Sequence, residues 1–255
     1  MTDEAQSQFG ALLREWRQRR HMSQLDLALR VDVSTRHLSY VETGRSNPSP
    51  TMISRLGEGL DLALRERNTL FLAAGYAPAY GHRPLTSPEL TSVADALRLV
   101  LDRHHPYPAV VLDRSWDVLD ANAGLNLLVE GCAAHLLEPP VNVLRLTLHP
   151  DGMAPRIQNL AQWRSHLLSQ LQHRIERTAD AGLSELLDEL LAYPGGGASR
   201  RSSADVVAAL RLDHCGRTLS LFSITSHIDS AADVTIDEMI LETFYPADQQ
   251  SAELL

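Results

Sequence analysis

Apolar positions recur at helical spacing through the first 75 residues. Phe9, Leu12, Leu13 and Trp16 form one stripe, with Arg14, Arg17, Arg19 and Arg20 on the other side. His21-Met22 ends that helix, and Ser23 is a natural N-cap for a second, whose short apolar face is Leu25, Leu27, Ala28 and Val31. Asp32-Val33 makes a tight turn, and Ser34 caps a third helix that ends at Thr43-Gly44. Pro48, Ser49 and Pro50 open a fourth helix bearing Met52, Ile53, Leu56 and Leu60; a fifth carries Leu64, Leu70, Phe71 and Ala74 and stops at Gly75. Five short helices with a tight turn between the second and third read as a helix-turn-helix module.

The texture then changes. Gly81 to Pro88 is turn-rich, and Ser87-Pro88-Glu89 opens a linker helix striped by Leu90, Val93, Ala94, Leu97 and Leu101, expected to pack on its own domain, with a partner copy as the alternative. Beyond Pro108, Ala109–Leu112 and Trp116–Leu119 flank Asp113-Arg114-Ser115 as a hairpin, and Asn122 opens a short helix with Leu125, Leu127 and Leu128. Leu160 to Ile175 and Leu183 to Leu191 are helical. Three further strands are predicted at Val206–Leu212, Leu219–Thr225 and Met239–Phe244; Asp213-His214-Cys215-Gly216 joins the first two, and Pro246 ends the last. The boundaries are therefore 1–80 for the helical module, 81–105 for the linker and 106–255 for a second, α+β domain with an antiparallel sheet and a helical insertion.

Within the third helix, Leu38 and Val41 face the core. Thr35, Arg36, Ser39 and Tyr40 cluster on the opposite arc, flanked by His37 and Glu42. Such an arc suits base-edge reading, because a guanidinium is bidentate to guanine and hydroxyls both donate and accept. Gln24 is placed to bond a phosphate and brace the third helix, and Arg45 to grip the backbone.

The run Ser23-Gln24-Leu25-Asp26-Leu27-Ala28, then Val33-Ser34, Leu38, Glu42-x-Gly44-Arg45 and Pro48, resembles the Cro/C1-type (XRE) helix-turn-helix domain. The resemblance implies a lambda-repressor-like fold, a double-stranded DNA operator as partner, and a recognition helix from Ser34 to Thr43 in the major groove. One departure is Asp32, where the family commonly has Gly; Asp tolerates the left-handed turn better than most residues. The extension from Leu64 to Pro78 is similar to the variant that precedes an MmyB-like ligand-binding domain in bacterial transcriptional regulators. Tyr107-Pro108-Ala109, Asn122-Ala123 and Phe244-Tyr245-Pro246-Ala247-Asp248 resemble motifs of that PAS-like domain. The resemblance implies a bound fatty acid or similar amphiphile between sheet and inserted helices. Trp163, Leu167 and Leu171 are candidates for one wall, Leu210, Leu212, Leu219 and Leu221 for the sheet wall, and Arg174 or Arg164 for a carboxylate partner at the mouth. The inward face of the strands stays open, since Phe222 and Ile224 alternate with Leu219 and Leu221.

Charge adds one refinement. The 255 residues carry a formal net charge of −9, with 23 basic and 32 acidic side chains. Residues 1–80 hold ten Arg against nine acids, and the rest 13 against 23, so the negative bulk masks a balanced N-terminal module. Every basic residue is Arg, in both halves, as a GC-rich genome would produce. Cys132 and Cys215 are too few for a disulfide framework or a thiolate zinc site, and no run suits a membrane span; a cytoplasmic protein is expected. Eleven His form no chelating pair by spacing, His135, His149 and His166 being at most single axial ligands. Gly195-Gly196-Gly197 lacks the Lys-Ser/Thr of a phosphate loop, and Arg200-Arg201 beside it read as solvated. No hydrolase elbow or acid/base pair appears, so no enzyme is expected. The expectation is a homodimeric, sequence-specific transcriptional regulator with a small apolar ligand and no required cofactor. Two alternatives are a DNA-binding protein whose second domain serves only dimerisation, and an antitoxin-like module docking a protein.

Overall fold

The computed structural model describes residues 3–195, 208–229 and 231–255. The chain divides into two units, one comprising Met1–Arg83 and Asp229–Asp237, the other Pro84–Ile228 and Glu238–Leu255.

The first unit holds helices α1 (Asp3–Arg19), α2 (Gln24–Arg30), α3 (Thr35–Glu42), α4 (Pro50–Gly59) and α5 (Leu64–Ala73). Local chemistry sets their ends. Ser23 and Asp26 form a reciprocal capping box at α2, while Ser34 and Ser49 accept from the backbone N–H three residues on at α3 and α4. Asp32 takes the left-handed conformation between α2 and α3, with φ 50°. Phe9, Leu13, Leu27, Leu38, Ile53, Leu56 and Leu70 are buried together as the core. Leu25, assigned by spacing to the apolar face of α2, is 55% exposed: Leu27 and Ala28 fill that face, and Leu25, two residues from Leu27, projects to the other side of the helix from it.

Arg17 also departs from its expected place on a polar face. It is buried and forks onto Glu42, Nε to Oε1 at 2.6 Å and Nη2 to Oε2 at 2.9 Å, and its Nη1 donates to the Met22 carbonyl. Gln24 donates to the same Glu42 carboxylate at 2.8 Å. Glu42 is accordingly interior, an end of α3 clamped from α1 and α2. The close approach demands Gly10, where a Cβ would lie 2.4 Å from the Glu42 carbonyl oxygen.

In the second unit, the linker helix α6 (Thr91–His104) follows a single 3-10 turn at Pro88–Leu90. Strands β1 (Ala109–Leu112), β2 (Val118–Ala121), β3 (Leu210–His214), β4 (Arg217–Ser226) and β5 (Ile240–Pro246) form one antiparallel sheet in the order β2-β1-β5-β4-β3. Between β2 and β3 lie α7 (Leu125–Val129), α8 (Val143–Leu148), α9 (Leu160–Thr178) and α10 (Ala181–Ala192); α11 (Val234–Glu238), in the connection from β4 to β5, belongs almost wholly to the first unit, and α12 (Gln249–Ala252) follows β5. The fold is thus a helical helix-turn-helix unit and an α+β, PAS-like unit.

Several boundaries move. Trp116 belongs to the hairpin turn at φ 63°, so β2 starts at Val118. Asn122 precedes α7 and is a buried bridge, accepting from Ala109 N and donating to the carbonyls of Leu101 and Tyr107. Strand β3 starts at Leu210; Val206, Gly196-Gly197 and Arg200-Arg201 lie outside the described residues.

The pleat resolves the open face. Leu219 and Leu221 point inward with Val110, Leu112, Leu210, Leu212, Ile240 and Phe244 into one core beneath α8, α9 and α10. Ile224, on the alternate parity, is 47% exposed. On the far face of β1, Ala109 and Val111 are buried where α6 lies, with Leu97 and Leu101 buried on the helix. The linker helix therefore packs on its own sheet.

Removing one partner of the buried Arg17–Glu42 pair strands the other charge. Glu42→Ala should cost about 3–5 kcal/mol, whereas Arg30→Ala, which breaks the exposed Arg30–Asp61 pair, should cost under about 1 kcal/mol. Urea denaturation followed by circular dichroism compares the two.

Candidate functional site

Helix α3 presents its chemistry outward because its other side is committed. Leu38 and Val41 are buried in the core, and Ser34 receives the His37 N–H at 3.1 Å. Arg36 is exposed and stacks over Tyr40, its Cζ 5.4 Å from the ring centroid while Nε donates to the phenol oxygen at 3.0 Å. Thr35, His37 and Ser39 are partly exposed, and Arg45, just past the helix, is exposed. Ser34 is spent mainly as a cap. Gln24 braces α3 through Glu42, as its position promised.

The second feature is an apolar cavity in the PAS-like unit, whose roughly 620 Å³ of empty space includes open solvent at its mouth. Its walls come from β1, β3 and β5 on the sheet side and from α7, α8 and α9 opposite. Trp116, Leu144, Met153, Trp163, Leu167 and Phe244 supply much of the apolar surface. The lining suits a small apolar molecule.

Of the wall residues expected from sequence, Trp163, Leu167 and Leu210 line the cavity. Leu171, Leu212, Leu219 and Leu221 do not; they are fully packed in the core around it, where layers of side chains close on each other rather than on free space. Arg174 is absent from the wall as well. Its guanidinium stacks on Trp116 at 4.0 Å from the ring centroid and donates to the Arg114 carbonyl at 2.9 Å. Burial, with Arg177 and Arg114 near, brings it down to about 10. Arg164 is buried and donates to the Leu191 carbonyl at the end of α10. Both arginines are structural cations.

Sequence spacing also separated three side chains that the fold gathers. The ligand-type atoms of His135, His149 and Asp151 lie within 4.8 Å of one another, and these three are the residues best arranged to hold a metal ion among those described. Two of them are exposed. No helix of the described residues is long and apolar enough to cross a membrane.

Residues 93–255 match the family model of the MmyB-like transcription regulator ligand binding domain. The chain belongs to the MmyB-like transcription regulators. Residues 8–70 of this MmyB-like regulator match a helix-turn-helix domain model. Among solved structures, the restriction-modification controller protein C.AhdI from Aeromonas hydrophila is 34% identical, over 24% of this chain and 92% of its own, with a TM-score of 0.23. No curated protein matches.

The MmyB-like cavity holds two residues that the sequence reading missed, Gln170 and Glu242. Glu242 carried a signal: it interrupts Ile240-x-Glu242-x-Phe244, the inward parity of β5, where an acid has no reason to be if that face is core. Burial pushes its carboxyl up from the usual carboxylate range, partly offset by a hydrogen bond from Ser223. An acid raised in the folded state binds more protons there than in the unfolded chain, so stability falls as pH rises above the unfolded value of about 4.3. Glu242→Gln should therefore stabilise the protein, by a margin near zero at acidic pH that grows towards neutrality; thermal melts of both proteins across pH 4–8 measure it.

Proposed function

We propose that this MmyB-like regulator works as a homodimer, in a bacterial cytoplasm, reading a double-stranded operator with two copies of α3 and adjusting that grip to an apolar or amphipathic molecule in its PAS-like cavity. The observation that carries the reading is the arc of exposed Arg36 and partly exposed Thr35, Ser39 and Tyr40, held by an interior clamp at Glu42, in the same chain as an apolar cavity. Two such helices sit in successive major grooves about 34 Å apart along the duplex. Arg36 and the hydroxyls of Thr35, Ser39 and Tyr40 meet base edges, with Ser34 and His37 at the leading end of the helix. Arg45 and Gln24 take phosphates. The Arg36–Tyr40 stack keeps the guanidinium extended along the helix rather than free in water, which lowers the entropy lost on docking.

The cavity supports a sensing role over a purely dimerising one, because a platform needs no interior space. A fatty acid is the ligand the family resemblance implies, and its apolar chain matches the lining. The ligand changes operator affinity only to the extent that it binds the DNA-competent and incompetent states unequally.

Arg36→Ala should cost about 1–3 kcal/mol on the cognate operator and relax one base position. Measured by competition binding, an equal loss on random DNA would instead make Arg36 a phosphate contact. For the cavity, denaturing the purified full chain and extracting it into organic solvent should release a near-stoichiometric amphiphile by mass spectrometry. A clean extract, together with no saturable uptake of added apolar compounds, would favour the dimerisation platform.

A further inference from the structure

Apart from its two indoles, the described wall of the cavity takes its polar atoms from three side chains, Thr147 on α8, Gln170 on α9 and Glu242 on β5. Thr147 gives its hydroxyl proton to the Val143 carbonyl at 2.6 Å, which leaves the oxygen's lone pairs. The Gln170 amide nitrogen lies 3.0 Å from His166 Nε2, which leaves the amide oxygen and one N–H. Glu242 offers a carboxylate, set between Val110 of β1 and Thr225 of β4 in the sheet register and facing the apolar lining. All three groups thus accept hydrogen bonds. No arginine lines the described wall: Arg174 lies against Trp116 and the Arg114 carbonyl, and Arg164 gives Nη2 to Leu191 while its Nη1 is buried without a hydrogen-bond partner.

We propose that Glu242 reads the head group of the cavity's ligand, and that this ligand is an apolar chain ending in a hydrogen-bond donor, above all a protonated primary amine, rather than a free carboxylate. The inference rests on the cavity being a ligand site. A carboxylate entering the cavity would face the Glu242 carboxyl across an apolar gap, where two like charges cannot both stay ionised, so the pair must take up a proton to coexist. An ammonium brings three donors and the opposite charge, and its pairing with a desolvated acid is a charge-assisted hydrogen bond. In the free protein the acid has a hydrogen bond from Ser223 but no cation beside it on the cavity wall, and an ammonium would supply that charge.

The test titrates the full chain, stripped of co-purified small molecules, with dodecylamine, dodecanol and dodecanoate at pH 8, each below its aggregation concentration, by calorimetry. Dodecylamine should bind about tenfold or more tighter than dodecanoate. Glu242→Gln should bring the two within about threefold, leaving dodecanol unchanged. The variant matters because a chain with a formal charge of −9 attracts cations generally, and the substitution removes one of 32 acids. Dodecanoate binding as tightly as the amine, or a preference that survives Glu242→Gln, overturns the assignment while the cavity remains a ligand site. Binding of none of the three overturns the ligand reading itself.

Discussion

A β-strand puts successive side chains on opposite faces, and much of the second unit follows from that parity once β1 and β5 are paired. With Val110 opposite Glu242 and Leu112 opposite Ile240, the residues sent inward are fixed two at a time, and so are those sent out beneath α6. A slip of one residue would trade Phe244 for Thr243 or Tyr245 and empty the core. The same parity that packs Ile240 and Phe244 also delivers Glu242 to the inner face. The acid's position is therefore a consequence of the register, and the register cannot be changed to relieve it.

The helical unit solves a related difficulty by other means. A recognition helix needs one polar side in water and one apolar side held firmly, and α3 is only eight residues long. Leu38 and Val41 alone make a narrow footing. The buried fork from Arg17 to Glu42, with Gln24 on the same carboxylate, anchors the far end of the helix from two directions. Such a pair contributes little net stability because both charges lose water, but its geometry is specific. It fixes how α3 is rotated, and hence which four side chains face outward.

The helices, caps and turn of the first unit were legible because each is a local matter. Ser23, Ser34 and Ser49 cap what they precede, and Asp32 adopts the turn conformation that its type permits. Arg17 was illegible because its burial depends on Glu42, 25 positions away. The same division runs through the cavity. Trp163 and Leu167 share a helix face that periodicity reveals. Leu171, one turn further on that face, points into packed core instead, and periodicity carries no information on where a core leaves space. Arg174 looked like a free cation near the mouth; its stacking on Trp116, in a hairpin turn, is a tertiary contact that no spacing rule anticipates.

The path of the chain between β4 and β5 bears on how the protein can be taken apart. Asp229–Asp237 folds with the helical unit: Asp233 pairs with Arg83, and Asp237 accepts the Leu64 N–H at the start of α5, where the preceding Ala63 has no side chain able to do so. The backbone consequently passes between the two units at 83/84, at 228/229 and again at 237/238. Proteolysis near residue 84 would leave Asp229–Asp237 on the larger fragment, so a helical fragment ending there would lack the carboxylate that completes α5. Swapping heads between regulators of this architecture would require transplanting the loop as well, so the DNA-reading head and the loop from the sheet form one modular part written in two pieces of sequence.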